Sequence, residues 1–420
     1  MIILIRLIPF IIFLFPTILA YRQKNYIALV ICGLYLISAF SALFMGSDII
    51  PFHDFDNESF FIFLLYSVLI VPFLYLSLKI KPITNKNILP QGFFFNILLI
   101  VFAIGAIYSL IYLLPYALIS LAADATDIRQ MISKESILPP TFLTTIAVGF
   151  PTFYFLYSFL MFVCIIQKRS KVLIFCMFIG VIAFVVNVLT VSGRDGVLFA
   201  AFAFLLSFFI FKPLLSNKQT KSIKIGFILL MSFGLTIIGK ITAERFSEGD
   251  GLDFNSFRTG ILGYIGTQPY IFAEWITENK IFNYGNNVFA VFKDLVGLDT
   301  SVVYEYSEQY TWMFGTFLAS FYSISGFSSL IIITFLFWLF FKVKFKIFQT
   351  TSLLSSFFLM GLYFDFTLSG IFYFRLANRG GNLYIIISLL TIYLLRNSKN
   401  KLVTKNSKFK DFYILQKKQS

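Results

Sequence analysis

Arg194 stands in the turn Val191-Ser-Gly-Arg-Asp-Gly196, where glycines flank a basic residue between two long apolar runs. A helix that starts there presents unpaired backbone N–H groups and the positive end of its dipole, a ready anion site that a guanidinium reinforces. Arg245 follows in Thr242-Ala-Glu-Arg-Phe246, then Arg258, and near the far end of the chain Arg375 and Arg379. A planar guanidinium fork grips phosphate or carboxylate bidentately and keeps its charge in a partly dry site, which a lysine does less well. The chemistry these residues point to is the handling of a phosphate or diphosphate. The competing reading for each is an ion pair with a nearby carboxylate, and for Arg194 that partner is Asp195 or Asp365.

Four carboxylates are candidates for a general base: Asp195, Glu244, Glu274 and Asp365. Asp365 is the one acid inside an apolar run, in a segment from Thr350 to Gly370 rich in Thr, Ser and Gly. A carboxylate there must face the protein interior or a wet cavity, where it pairs with an arginine, with Arg375 ten residues on, or activates a hydroxyl. Aromatic residues Tyr264, Tyr270 and Trp275 follow the second arginine in the stretch from Gly260 to Trp275. They can stack on sugar rings while their polar tips bond hydroxyls, or serve as an interfacial belt. Gly260, Gly263 and Gly266 permit close helix approach and Pro269 breaks the run, so a short re-entrant or interfacial helix pair is expected here.

Other chemistries lack their parts. His53 is the only histidine and sits in an acidic segment, while Cys32, Cys164 and Cys176 all lie in apolar runs, where they read as packing residues. A catalytic zinc site has too few of its usual ligands. No Walker loop, GxSxG elbow or HExxH is present, so the expectation is an activity without metal, nucleotide or other cofactor.

The elements that must position these residues follow from composition. The chain has 420 residues, 58% hydrophobic and 13% charged, with a mean hydropathy of +0.85. Soluble chains carry about 25% charged residues, so this is expected to be an all-α integral membrane protein, a single polytopic domain over 1–420. Apolar runs near the ~20 residues a bilayer requires number about eleven: 2–20, 26–45, 59–78, 92–120, 142–166, 171–191, 196–211, 223–241, 313–341, 351–373 and 381–395. One long connection, 242–312, interrupts them, and long loops on a rigid scaffold tend to carry function.

Lysine-rich connections alternate with acidic ones, the latter including ten carboxylates between Glu244 and Glu308. The positive-inside rule then sets the N-terminus outside, the 242–312 loop outside and the basic tail 396–420 in the cytoplasm, against anionic lipid. The formal charge of +14 is thus orientation first, and nucleic acid is not an expected partner.

In architecture over most of its length the chain resembles the Wzy-type oligosaccharide repeat-unit (O-antigen) polymerases of bacterial envelopes. The resemblance rests on Ser192-Gly-Arg-Asp-Gly196, Glu244-Arg-Phe246 and Tyr264-Ile-Gly-Thr-Gln-Pro-Tyr-Ile-Phe-Ala-Glu274, followed by Asn283-Tyr-Gly-Asn286, the apolar segment Val288 to Gly297 and the run Thr316 to Phe327. It implies a metal-independent glycosyltransferase of the inner membrane with undecaprenyl-diphosphate-linked oligosaccharide as both donor and acceptor, and room for a chain-length regulator protein as partner. Arginines matching Arg194, Arg245 and Arg258 would handle the diphosphate. A lipid-linked glycan ligase uses the same donor, but a histidine is expected in its large outer loop and 242–312 has none. A flippase or other transporter of lipid-linked oligosaccharide should show internal pseudo-symmetry and no such loop.

Overall fold

The computed structural model describes residues 2–45, 57–122, 138–139, 141–191, 193, 195–246, 263–278, 282–286, 288–298, 315–347, 353–377 and 379–394. The described elements are helical, and the one β-bridge, Thr316 to Tyr373, stands alone among the described residues. In chain order they are α1 (Ile2–Arg22), α2 (Tyr26–Ala42), α3 (Asn57–Ser77), α4 (Phe93–Ala122), α5 (Phe142–Gly149), α6 (Tyr154–Ile166), α7 (Lys171–Leu189), α8 (Asp195–Phe211), α9 (Asn217–Phe246), α10 (Gln268–Glu278), α11 (Ala290–Leu295), α12 (Thr316–Ser325), α13 (Phe327–Ile347), α14 (Leu353–Ser369) and α15 (Arg379–Leu394).

Seven helical stretches among the described residues are long and apolar enough to cross a membrane, and α2, α14 and α15 are shorter apolar helices. α4 shows how such a helix is solvated. Ile100, Ile104, Ile107, Ile111, Leu114 and Leu118 are exposed along one stripe, while Leu99, Phe102, Ala106, Ser109, Leu113 and Ala117 are buried. The three- and four-residue spacing gives one face to the bundle and leaves an apolar face that only lipid would solvate well. α6 and α14 are different: every residue from Pro151 to Cys164 and from Ser355 to Phe372 is buried. Helices buried on all sides belong at the centre, and these two pack on each other with α2, α7 and α8 around them.

Two of the expected continuous spans are interrupted. The run 142–166 is split by a 3-10 turn at Phe150–Phe153 containing Pro151, and the run 313–341 breaks at Gly326, whose φ of 77° is open to glycine and strained for other residues. The break is closed locally: Ser329 Oγ donates to the carbonyl oxygens of Phe321 and Gly326, and Ser325 N–H donates to Ser329 Oγ.

After Gly260 the described residues hold a short helix, α10, packed against α2, α3 and α12. At Gly266, just before it, a Cβ would lie 2.8 Å from the Ser41 carbonyl carbon and 2.9 Å from the Ala42 nitrogen. Backbone on both sides cannot yield as a side chain would. Gly266→Val is expected to cost about 1–3 kcal/mol or more as overpacking, read as a lower melting temperature of the purified protein in detergent. Gly33→Ala, where a Cβ meets nothing within 4 Å, should melt no lower than the native chain.

Candidate functional site

The centre of the bundle holds a charge that its sequence surroundings would not permit alone. Asp365, fully buried on α14, accepts from Arg375 Nε at 2.8 Å and from the Tyr154 hydroxyl at 2.8 Å, both on Oδ1. An isolated carboxylate in such a place costs several kcal/mol, and an opposite charge within hydrogen-bond distance offsets it. Its second oxygen, Oδ2, has no hydrogen-bond partner among the described residues, and neither has the Tyr384 hydroxyl, also fully buried. The Tyr384 hydroxyl occupies space that Gly361 leaves open, since a Cβ there would lie 2.6 Å from it.

Arg375 reaches Asp365 from the loop after α14, where a 3-10 turn at Arg375–Ala377 follows Phe374. Its guanidinium carbon lies 4.7 Å from the ring centroids of both Tyr154 and Phe184, two rings stacked on each other at 4.0 Å. One Nη2 proton points at the Thr152 carbonyl at 3.5 Å, a long contact, and the remaining Nη donors have no partner among the described residues. Burial is the largest single effect and works against the charge, but the Asp365 carboxylate with its hydrogen bond and the Tyr154 and Tyr373 phenols together outweigh it and raise the Arg375 pKa above the ordinary guanidinium value. This side chain is therefore a fixed cation at all accessible pH, anchored through Nε with fork donors to spare.

Hydrogen bonds from two sides hold the turn that carries Arg375. Thr316 N–H donates to the Phe372 carbonyl at 2.9 Å and Phe317 N–H to that of Gly370 at 3.0 Å, clasping the start of α12 to the end of α14. From the other side, buried Asn382 on α15 donates through Nδ2 to the carbonyls of Leu376 at 2.7 Å and Val288 at 2.9 Å, and accepts from Val291 N–H. Non-helical backbone buried in this way is tolerable only because its polar groups are paired.

Next to Arg375, the Tyr373 hydroxyl donates in a short bond to Asp195 Oδ2, the first residue of α8. Tyr264 joins this group, its ring 5.3 Å from that of Phe372 and its hydroxyl within electrostatic reach of Tyr373.

Asp195, Tyr264, Asp365 and Arg375 thus meet at one end of the bundle. Glu274, Tyr270 and Trp275 form a separate group on α10. Tyr270, a candidate for sugar stacking, is 4% exposed, its hydroxyl donates to the Ala42 carbonyl at 2.8 Å, and burial pushes its pKa up to about 12. It ties α10 to α2. Arg6 on α1, a lone charge in the first apolar run, lies over the Tyr270 ring with its guanidinium carbon 5.8 Å from the centroid and donates to the Met45 carbonyl. Glu274 is buried, and Trp275 packs its ring 3.1 Å from where a Gly315 Cβ would stand.

Glu244 and Arg245 lie in the last turn of α9, and Arg379 begins α15. Arg194 and Arg258 lie outside the described residues, as do Arg129 and His53. Three contributors were not singled out from the sequence: Tyr154, Tyr373 and Asn382. A tyrosine two residues before an arginine gave a signal for Tyr373, whereas Tyr154 is one aromatic among many in an apolar run and Asn382 is one polar residue at a helix start.

Among the described residues no group of three or more His, Cys, Asp or Glu is placed to hold a metal ion. Chemically the arrangement offers a fixed cation, a buried carboxylate, and a tyrosine hydrogen-bonded to a second carboxylate. Comparison with protein-family models, with curated proteins and with solved structures returns no match for this chain.

Proposed function

We propose that this chain is a polytopic membrane glycosyltransferase of the Wzy type, joining undecaprenyl-diphosphate-linked oligosaccharide repeat units into a surface polysaccharide at the outer face of the bacterial inner membrane. The observation that carries the reading is Arg375, a buried guanidinium anchored by Asp365 beside the Tyr373–Asp195 pair, at the end of the bundle where Arg194 precedes α8 in the chain. The eleven-span topology, with the 242–312 loop outside and the basic tail inside, belongs to the same reading.

In this reaction the bond from the anomeric carbon of the donor glycan to its diphosphate oxygen breaks as a hydroxyl of the acceptor unit forms the new glycosidic bond. Negative charge grows on the departing diphosphate, and a preorganised guanidinium in a low-dielectric site stabilises it without reorganisation. Arg375 supplies one such cation, with Arg194, Arg245 and Arg258 as further candidates from the sequence. The acceptor proton needs a base, and Asp195 is the favoured carboxylate because Asp365 is committed to its arginine.

The test is reconstitution alongside deletion. Purified protein in detergent is expected to lengthen lipid-linked repeat units with neither nucleotide nor divalent metal added, and a strict need for either sinks the proposal. Deletion of the gene should leave core carrying a single repeat unit on a gel of surface glycan. Bare core would instead identify a ligase, and absence of any exported unit a flippase.

A further inference from the structure

Far from Arg375 along α8, the bundle opens an apolar groove of about 500 Å³ between α6, α7, α8 and α9. Its walls include Met161, Phe178, Phe204 and Phe227, and its rim carries Lys212 and Lys224. The volume is that of an ordinary ligand pocket. Both lysines are exposed, and no Asp or Glu occurs in the sequence between Asp195 and Glu244 to neutralise them. Gly226, also in the lining, leaves part of the groove empty, since a Cβ at this position would meet nothing within 4 Å.

An apolar slot beside two exposed ammonium groups with no ion-pair partner among the described residues has the charge and shape of one amphiphile. We propose that the groove seats an anionic phospholipid of the lysine-rich leaflet, with an acyl chain along the aromatic wall and the phosphate held by Lys212 and Lys224. The acyl chain replaces solvent or disordered lipid against Phe178, Phe204 and Phe227. The lysines select the headgroup, because ammonium groups near a membrane surface each favour an anionic lipid by about 1 kcal/mol. This site is remote from the proposed diphosphate chemistry and stands whether or not that chemistry is correct.

The experiment titrates the full chain, purified in neutral detergent, with phosphatidylglycerol or phosphatidylcholine and counts bound lipids by native mass spectrometry. One phosphatidylglycerol should be retained at least about ten-fold more tightly than phosphatidylcholine, and Lys212→Ala with Lys224→Ala should weaken it about thirty-fold while leaving phosphatidylcholine unchanged. Gly226→Leu keeps both lysines and fills the slot, and it should abolish the tight phosphatidylglycerol site with no fall in melting temperature. Millimolar inorganic phosphate should not displace the lipid. Equal retention of the two lipids, no effect of the double lysine variant, a tight site that survives Gly226→Leu, or displacement by phosphate would each overturn the proposal.

Discussion

Replacing Arg375 with alanine is expected to cost about 3–5 kcal/mol of stability, because it strands Asp365 as an unpaired buried carboxylate. Tyr154 would then be the only described donor to that carboxylate, and one phenol does not compensate a full charge. The sharper result comes from the double variant Arg375→Met with Asp365→Leu, which removes both charges in similar volume and should recover most of the lost melting temperature. If the proposed function holds, polymerisation should not recover with it, since the cation is gone. Arg375→Lys keeps the charge and loses the fork; charge-assisted bonds are worth ~1.5–3 kcal/mol each, so a roughly ten- to hundred-fold slower polymerisation is expected. If the double variant both melts and polymerises like the native chain, Arg375 has no part in the chemistry.

Asn382→Leu should be nearly as costly, for a different reason. It keeps the bulk of the side chain but leaves the Leu376 and Val288 carbonyls and the Val291 N–H without their partner in a buried setting. Each stranded group costs about 1–3 kcal/mol, so the sum is expected at roughly 3 kcal/mol or more. The loss should be local as well as global. Amide exchange at Val291 should speed up beyond what the fall in global stability accounts for, and activity should drop along with it because Leu376 adjoins Arg375. Unchanged exchange at Val291 would mean that Asn382 does not hold α11 to the turn.

How much of this was legible beforehand depends on which force decided each feature. The spans are set by apolar length, and the reading of 171–191 as a span falls within two residues of α7, as 59–78 does of α3. The pairing of Asp365 with Arg375 was one of two readings open from the sequence, because a charge in an apolar run demands a counter-charge and the chain offers one close by. The break at Gly326 was hidden, since Ser-Gly-Phe inside an apolar run looks the same whether the helix bends or continues. Tyr154 was hidden by its neighbours: in a helix buried on all sides no periodicity separates the residue that bonds a carboxylate from those that fill space. The Tyr270 bond to the Ala42 carbonyl was not legible, since a tyrosine beside a glycine-rich turn reads equally as a ligand platform or a tether.

The spacing of Asp365 and Arg375 also has a bearing on how the protein is made. A carboxylate in a bilayer is costly until its partners are in place. Its arginine is synthesised only ten residues later, on the loop that leaves the same helix, so the two meet without waiting for any distant segment. Tyr154, by contrast, comes from a helix already emerged from the ribosome when α14 begins to insert, which gives the acid a hydrogen-bond donor on arrival. The charge at the centre of the bundle thus has both of its partners close in the order of synthesis, one already made and one ten residues on.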